Sequence, residues 1–216
     1  MKHKLLAPLI AASAFVTPGV TTATTVGLPT GVVSTVWDTF SGINFSNAAP
    51  NSSSGAVNGT LSSTMAGGAV FGGGDRLYSG TFVTGQDPFS FNLTANGTVN
   101  QSFSQLGLVL KLTSPGNGAT GALVHFDITL EAAGAAAATA SSQSVLSSFT
   151  EGANTFYIVK FDWSGLNLQA NDAFQFNITS DIGHVSLDAL QIVPEPTSAA
   201  LGLLGTAMLV IRRRRK

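Results

Sequence analysis

Few side chains in this chain can do chemistry, and most of those act through oxygen. On an alternating strand pattern, His125 and Asp127 fall on one outward face, while His184, Ser186 and Asp188 fall outward on the last strand of the body. Were those two strands neighbours, His125, Asp127, His184 and Asp188 would form a polar patch suited to a cation or a sugar hydroxyl. The plainer alternative is a solvated face, because any half-exposed strand alternates in this way. A Ser/His/Asp triad drawn from His125 or His184 lacks a Gly-x-Ser-x-Gly elbow. Zinc asks for a full set of spaced ligands, and only those two histidines remain beyond the N-terminal segment. Calcium takes roughly six to eight oxygens, which the turn-borne Asp75, Asp172 and Asp181 begin to offer, although no EF-hand loop is present. A structural calcium is therefore the one cofactor with any basis, and the metal question stays open. Trp37 and Trp163 would stack on a sugar ring if exposed, but burial is the commoner fate of such side chains. No carboxylate pair can be placed in a cleft, so no catalytic residue is assigned.

These residues must be positioned by strands. Val124, Phe126, Ile128 and Leu130 alternate with His125, Asp127, Thr129 and Glu131, and the same period of two runs through residues 89–93, 156–163 and 174–178. Further strands are expected at 31–37, 76–83, 97–103, 106–112, 143–149 and 183–193, separated by turn clusters such as Gly72-Gly73-Gly74-Asp75, residues 115–118 and Ala170-Asn171-Asp172. About ten short strands without a convincing helix predict an all-β body, an antiparallel two-sheet sandwich of jelly-roll-like form. A right-handed β-helix is the alternative, but the chain has no rung period. Residues 47–68 and the Ala/Ser-rich residues 132–142 read as loops.

Composition narrows the partners. Residues 24–192 contain three cations (Arg76, Lys111, Lys160) and ten carboxylates, a net charge of −7 against −1 for the whole chain. So few cations argue against nucleic acid and anionic lipid surfaces, leaving neutral glycans, cations and proteins. Cysteine is absent, so no disulfide supports the fold. Seven Asn-x-Ser/Thr triplets occur, at Asn44, Asn51, Asn58, Asn92, Asn96, Asn100 and Asn177; in an Asn- and Thr-rich chain their number is a matter of composition.

Both ends carry addresses. Lys2, His3 and Lys4 precede an apolar stretch from Leu5 to Val16 and small residues at Thr21 and Ala23, the layout of a secretory signal peptide over residues 1–23. Cleavage after Ala23 is preferred, and after Ala14 is the alternative. At the other end, residues 197–211 are uncharged, and as a helix they measure roughly 22 Å, short of the roughly 30 Å hydrocarbon core. A single transmembrane helix there is a strained, short-lived anchor. Arg212, Arg213, Arg214, Arg215 and Lys216 hold its end on the cytoplasmic side and leave residues 24–196 across the membrane. Pro194 and Pro196 keep the junction extended around the Glu195 carboxylate, in a form that a protease can bind as a strand. The expected organisation is a signal peptide (1–23), a sandwich domain (24–192) and a C-terminal signal (193–216).

Val193-Pro194-Glu195-Pro196, the glycine-bearing apolar segment and the arginine run together resemble the C-terminal sorting signal of bacterial PEP-CTERM proteins. The same kind of segment is also labelled an ice-binding protein C-terminal domain, which describes the tail rather than an activity. The resemblance covers residues 193–216, about a tenth of the chain. It implies that Pro194, Glu195 and Pro196 are recognised by exosortase, a protease and transpeptidase of the inner membrane in Gram-negative bacteria that make exopolysaccharide. The chain is then expected to be an exported, non-catalytic envelope or extracellular-matrix protein associated with exopolysaccharide. A carbohydrate-binding module is the alternative, followed by a polysaccharide hydrolase; an ice-binding face would ask for Thr-x-Thr rows that the body lacks.

Overall fold

A computed structural model describes residues 27–30, 32–65, 68–71, 74–79, 92–113, 123, 126–180 and 185–196. Within them the chain is all-β, 69% strand and 1% helix, and it forms two antiparallel sheets. Fourteen strands follow one another as β1 (Thr35–Trp37), β2 (Phe45–Ala48), β3 (Ser52–Ser53), β4 (Val57–Ser63), β5 (Ala69–Phe71), β6 (Arg76–Ser79), β7 (Asn92–Val99), β8 (Phe103–Thr113), β9 (Phe126–Ala132), β10 (Ala138–Thr139), β11 (Ser142–Glu151), β12 (Asn154–Leu168), β13 (Ala173–Ser180) and β14 (Val185–Pro196). The eight-stranded sheet runs β11-β12-β8-β14-β1-β3, with β6 against β14 and β5 against β6; the six-stranded sheet runs β10-β9-β13-β7-β4-β2.

Alternation explains the main core. Leu106, Leu108, Leu110 and Leu112 of β8, Val159, Phe161 and Trp163 of β12, and Leu187, Leu190 and Ile192 of β14 meet Leu93, Ala95 and Val99 of β7, Phe126, Ile128 and Leu130 of β9, and Phe174, Phe176 and Ile178 of β13 in one apolar cluster. This is the two-sheet sandwich that the period of two predicts. The eight-stranded sheet also buries part of its other face, where Leu28, Val36, Val109, Ile158, Ala189 and Val193 form a second cluster, with Phe149 against it. Gln191 Nε2 donates to the Pro29 carbonyl at 3.1 Å and ties the leading segment over that face. Central strands buried on both faces read as continuous apolar runs, as β8 does.

The two tryptophans close the seams between the sheets. Trp37 of β1 donates its indole N–H to the Ala48 carbonyl of β2 at 3.0 Å, and Trp163 of β12 donates to the Ala138 carbonyl of β10 at 2.8 Å. Strands β2 and β10 are the two edges of the six-stranded sheet, so each indole pins one edge to the opposite sheet. Both rings lie in the core, at 1% and 2% exposure, which removes them from sugar stacking.

Several loop expectations are corrected. Residues 47–68 contain β3 and β4, whose stability comes from pairing with β1 and β7 rather than from their Ser, Asn and Gly content. Residues 132–142 contain β10, reached through a tight turn in which Ala133 and Gly134 both take positive φ (51° and 74°) and the Ala135 N–H donates to the Ala132 carbonyl at 2.9 Å. The strand expected at 97–103 ends instead at Val99, because Asn100 to Ser102 turn the chain into β8. Residues 1–23 and 197–216 lie outside the described residues, and no described helix is long and apolar enough to cross a membrane.

Candidate functional site

Pro194-Glu195-Pro196 is the continuation of a central strand. β14 pairs with β8 through Pro194 opposite Leu106, Glu195 opposite Gln105 and Pro196 opposite Phe103, with an irregularity between Glu195 and Pro196. Pairing with β1 stops at Thr35 opposite Ile192, so both prolines lie where β14 is bonded on one side only. That is where a strand tolerates residues with no N–H. The motif is extended, as its prolines dictate, and it belongs to the sheet, four residues beyond the expected domain end at 192.

Its charge is already engaged. Glu195 Oε1 accepts from Lys160 Nζ at 2.8 Å, and Lys160 also pairs with Asp162 at 2.8 Å, whose Oδ1 accepts from Gln105 Nε2 at 3.0 Å. Lys160 and Asp162 are on β12 and Glu195 is on β14, with β8 between them. The bridge is open because residue 107 is glycine: a Cβ there would come 2.8 Å from Lys160 Cε and 3.0 Å from Asp162 Oδ1. Burial works against the Lys160 charge, but the hydrogen bonds and charges of Asp162 and Glu195 together outweigh it and raise the pKa above the ordinary lysine value.

The proposed four-residue patch does not assemble as expected. Asp127 sits exposed on β9 of the six-stranded sheet, whereas Asp188 sits on β14 of the eight-stranded sheet with 1% exposure; the two strands are not neighbours. Ser186 is buried as well. Their polar alternation marks the second face of a central strand, not a wet face. His125 and His184 lie outside the described residues.

Around Asp188 there is instead a buried charge cluster. Thr113 Oγ1 donates to Asp188 Oδ2 at 2.5 Å, and Arg76 Nε lies 3.3 Å from Asp188 Oδ1 without being aimed as a hydrogen bond. Lys111, 1% exposed, has its ammonium 4.7 Å from the centre of the Phe156 ring and 5.5 Å from that of Phe149. Desolvation raises the Asp188 pKa despite Thr113, Arg76 and Lys111, and desolvation lowers that of Lys111 despite the Asp188 charge. A lone lysine within Leu108-Val109-Leu110-Lys111-Leu112 was the available sequence signal for this cluster.

Asp127 has a different setting. It lines a cleft of about 380 Å³ at one seam of the sandwich, with the hydroxyls of Thr139, Ser141 and Ser142, the Gln143 amide, and Phe126 and Phe161 beneath. One carboxylate among amides and hydroxyls can orient a polyol, and among the described residues no second carboxylate lines the cleft. For calcium, Asp172 Oδ2 accepts the Gln169 N–H at 2.8 Å and closes its own turn, and Asp181 lies outside the described residues. Among the described residues no three His, Cys, Asp or Glu converge on a metal position. No family model, curated protein or solved structure matches this chain.

Proposed function

We propose that this chain is an exported, non-catalytic protein of the cell envelope or extracellular matrix, associated with exopolysaccharide. Residues 1–23 direct export, residues 197–211 hold the chain in the inner membrane as a single helix, and an exosortase-type protease acts at Pro194-Glu195-Pro196. The observation that carries this reading is the unbroken succession of Pro-Glu-Pro, an uncharged apolar run and Arg212-Arg213-Arg214-Arg215-Lys216. The end of β14 supports it: the motif is extended and bonded on one side only, a form close to that in which proteases bind substrate. We read the two-sheet sandwich as jelly-roll-like.

A second reading, a carbohydrate-binding module, is favoured by the hydroxyl- and amide-lined cleft at Asp127. Deletion of residues 212–216 in the producing cells tests the first. The truncated chain is expected to lose its processed extracellular form, and unchanged release would refute sorting by this signal.

A further inference from the structure

The Asn-x-Thr triplets, random by composition, are not random in space. Four of them lie on three adjacent strands: Asn58 and Thr60 on β4, Asn92, Thr94, Asn96 and Thr98 on β7, and Asn177 and Thr179 on β13. The residues between them turn inward. Leu93 and Ile178 are in the main core, a Cβ on Gly59 would come 3.0 Å from the Trp37 ring, and one on Gly97 would overlap the Phe174 ring and the Asn58 carbonyl. Every Asn and Thr of these four triplets therefore occupies the outer face of the six-stranded sheet.

Register aligns them into rows. Asn58 stands opposite Thr98, Thr60 opposite Asn96, Gln175 and then Glu131 of β9, and Ser62 opposite Thr94, Asn177 and Thr129. Rows repeat about every 6.8 Å along the strands, and neighbours within a row stand about 4.8 Å apart. The outward positions of β4, β7 and β13 include no Lys, Arg, Asp or Glu. A face that needed only to be wet would ordinarily use long charged side chains. These short ones each offer a donor and an acceptor and lose little rotamer freedom when fixed. Some are already oriented: Gln175 Nε2 donates to Asn177 Oδ1 at 2.9 Å, and Asn58 Nδ2 donates to Asn100 Oδ1 at 3.0 Å.

The centre of the array is an unfinished hydrogen-bonding site. Two Asn-Gly-Thr triplets, residues 58–60 and 96–98, run in opposite directions around a shallow hollow of about 400 Å³, so each side presents the same groups to a ligand. Asn96 Oδ1 is shielded from solvent there and has no hydrogen-bond partner. Leaving an acceptor so costs free energy, and a small rotation of the Asn96 amide toward the hollow would let an entering hydroxyl recover it. An anionic polymer finds no cation on these three strands and meets the carboxylates of Glu131 and Asp127 on the adjoining β9, which repel it. We propose that this face, centred on Asn58, Thr60, Asn96 and Thr98, binds a neutral polysaccharide through its hydroxyls. The proposal rests on the exopolysaccharide part of the reading above and not on the sorting step.

Affinity electrophoresis of the purified protein tests it, using the neutral fraction of the producing cells' extracellular polysaccharide, with alginate as an acidic control. Retardation by the neutral polymer alone is expected, with apparent affinity falling about tenfold in a Thr60→Lys/Thr98→Lys variant and unchanged in Ser148→Lys on the far edge. If the lysines unsettle the sheet, the near-isosteric Thr60→Val/Thr98→Val pair serves, with its melting curve as the check on folding. Absence of retardation, equal retardation of the folded variants, preference for alginate, or a covalent glycan at Asn58 or Asn96 would each overturn the proposal. The C-terminal mass of the same sample reports separately on sorting.

Discussion

Replacing Trp163 with Phe removes one of the two indole links between the sheets while leaving an aromatic ring in the core. The lost N–H to the Ala138 carbonyl at 2.8 Å is worth about 1 kcal/mol, since Ala138 is exposed and its carbonyl regains water. The smaller ring leaves a void beside Phe176, whose centroid lies 5.1 Å from that of Trp163, adding about 1–2 kcal/mol. Together these come to about 2–3 kcal/mol, which in a domain of this size lowers Tm by roughly 5–10 °C. Calorimetry of the purified variant measures it, with Leu146→Ser, at a site 44% exposed, as a control expected to stay within about 0.5 kcal/mol. Hydrogen exchange should show β10 and its partner residues Thr129 and Leu130 opening first. A Trp163→Phe shift no larger than that of Leu146→Ser would refute the argument that the indoles, in a chain without cysteine, hold the seams.

Two further outcomes follow from the charge networks. Gly107→Ala presses on Lys160 Cε and Asp162 Oδ1, the far ends of side chains that can give way, and is expected to cost no more than about 1 kcal/mol in denaturant melts; by drawing Lys160 off Glu195 it should also speed C-terminal processing, and an unchanged rate would separate the ion pair from the motif's accessibility. Asp188, whose folded pKa is raised, holds its proton longer in the native state than in the unfolded one, so its contribution is most favourable below the unfolded value and declines as pH rises through the folded one. Urea melts of the wild type against Asp188→Asn from acid to neutral pH should therefore show the wild type losing ground with rising pH, and the opposite trend would contradict the desolvated carboxyl.

Alternation made β9, β12 and β13 legible from the sequence, because one buried and one wet face leave a period of two. It misread the polar face of β14, where both faces are covered and a polar residue signals a buried partner rather than water. Asp188 falls in that class. Residues 47–68 were opaque for another reason: β3 and β4 draw their order from hydrogen bonds to β1 and β7, far along the chain. Asn96-Gly97 shows why a turn-like dipeptide can sit inside a strand, since Gly97 is there to admit the Phe174 ring and the neighbouring backbone. Of the site, the Pro-Glu-Pro motif could be read from the sequence; its place in the sheet and its bond to Lys160 could not, because they depend on register across three strands.

The most direct measurement of the central claim is the C-terminal peptide and intact mass of the protein recovered from its producing cells, with cells and culture fluid analysed apart. The account predicts a released product that ends near residues 194–197, with any added mass naming the molecule joined to it. A product that keeps Arg212 to Lys216 and stays with the membrane would contradict it.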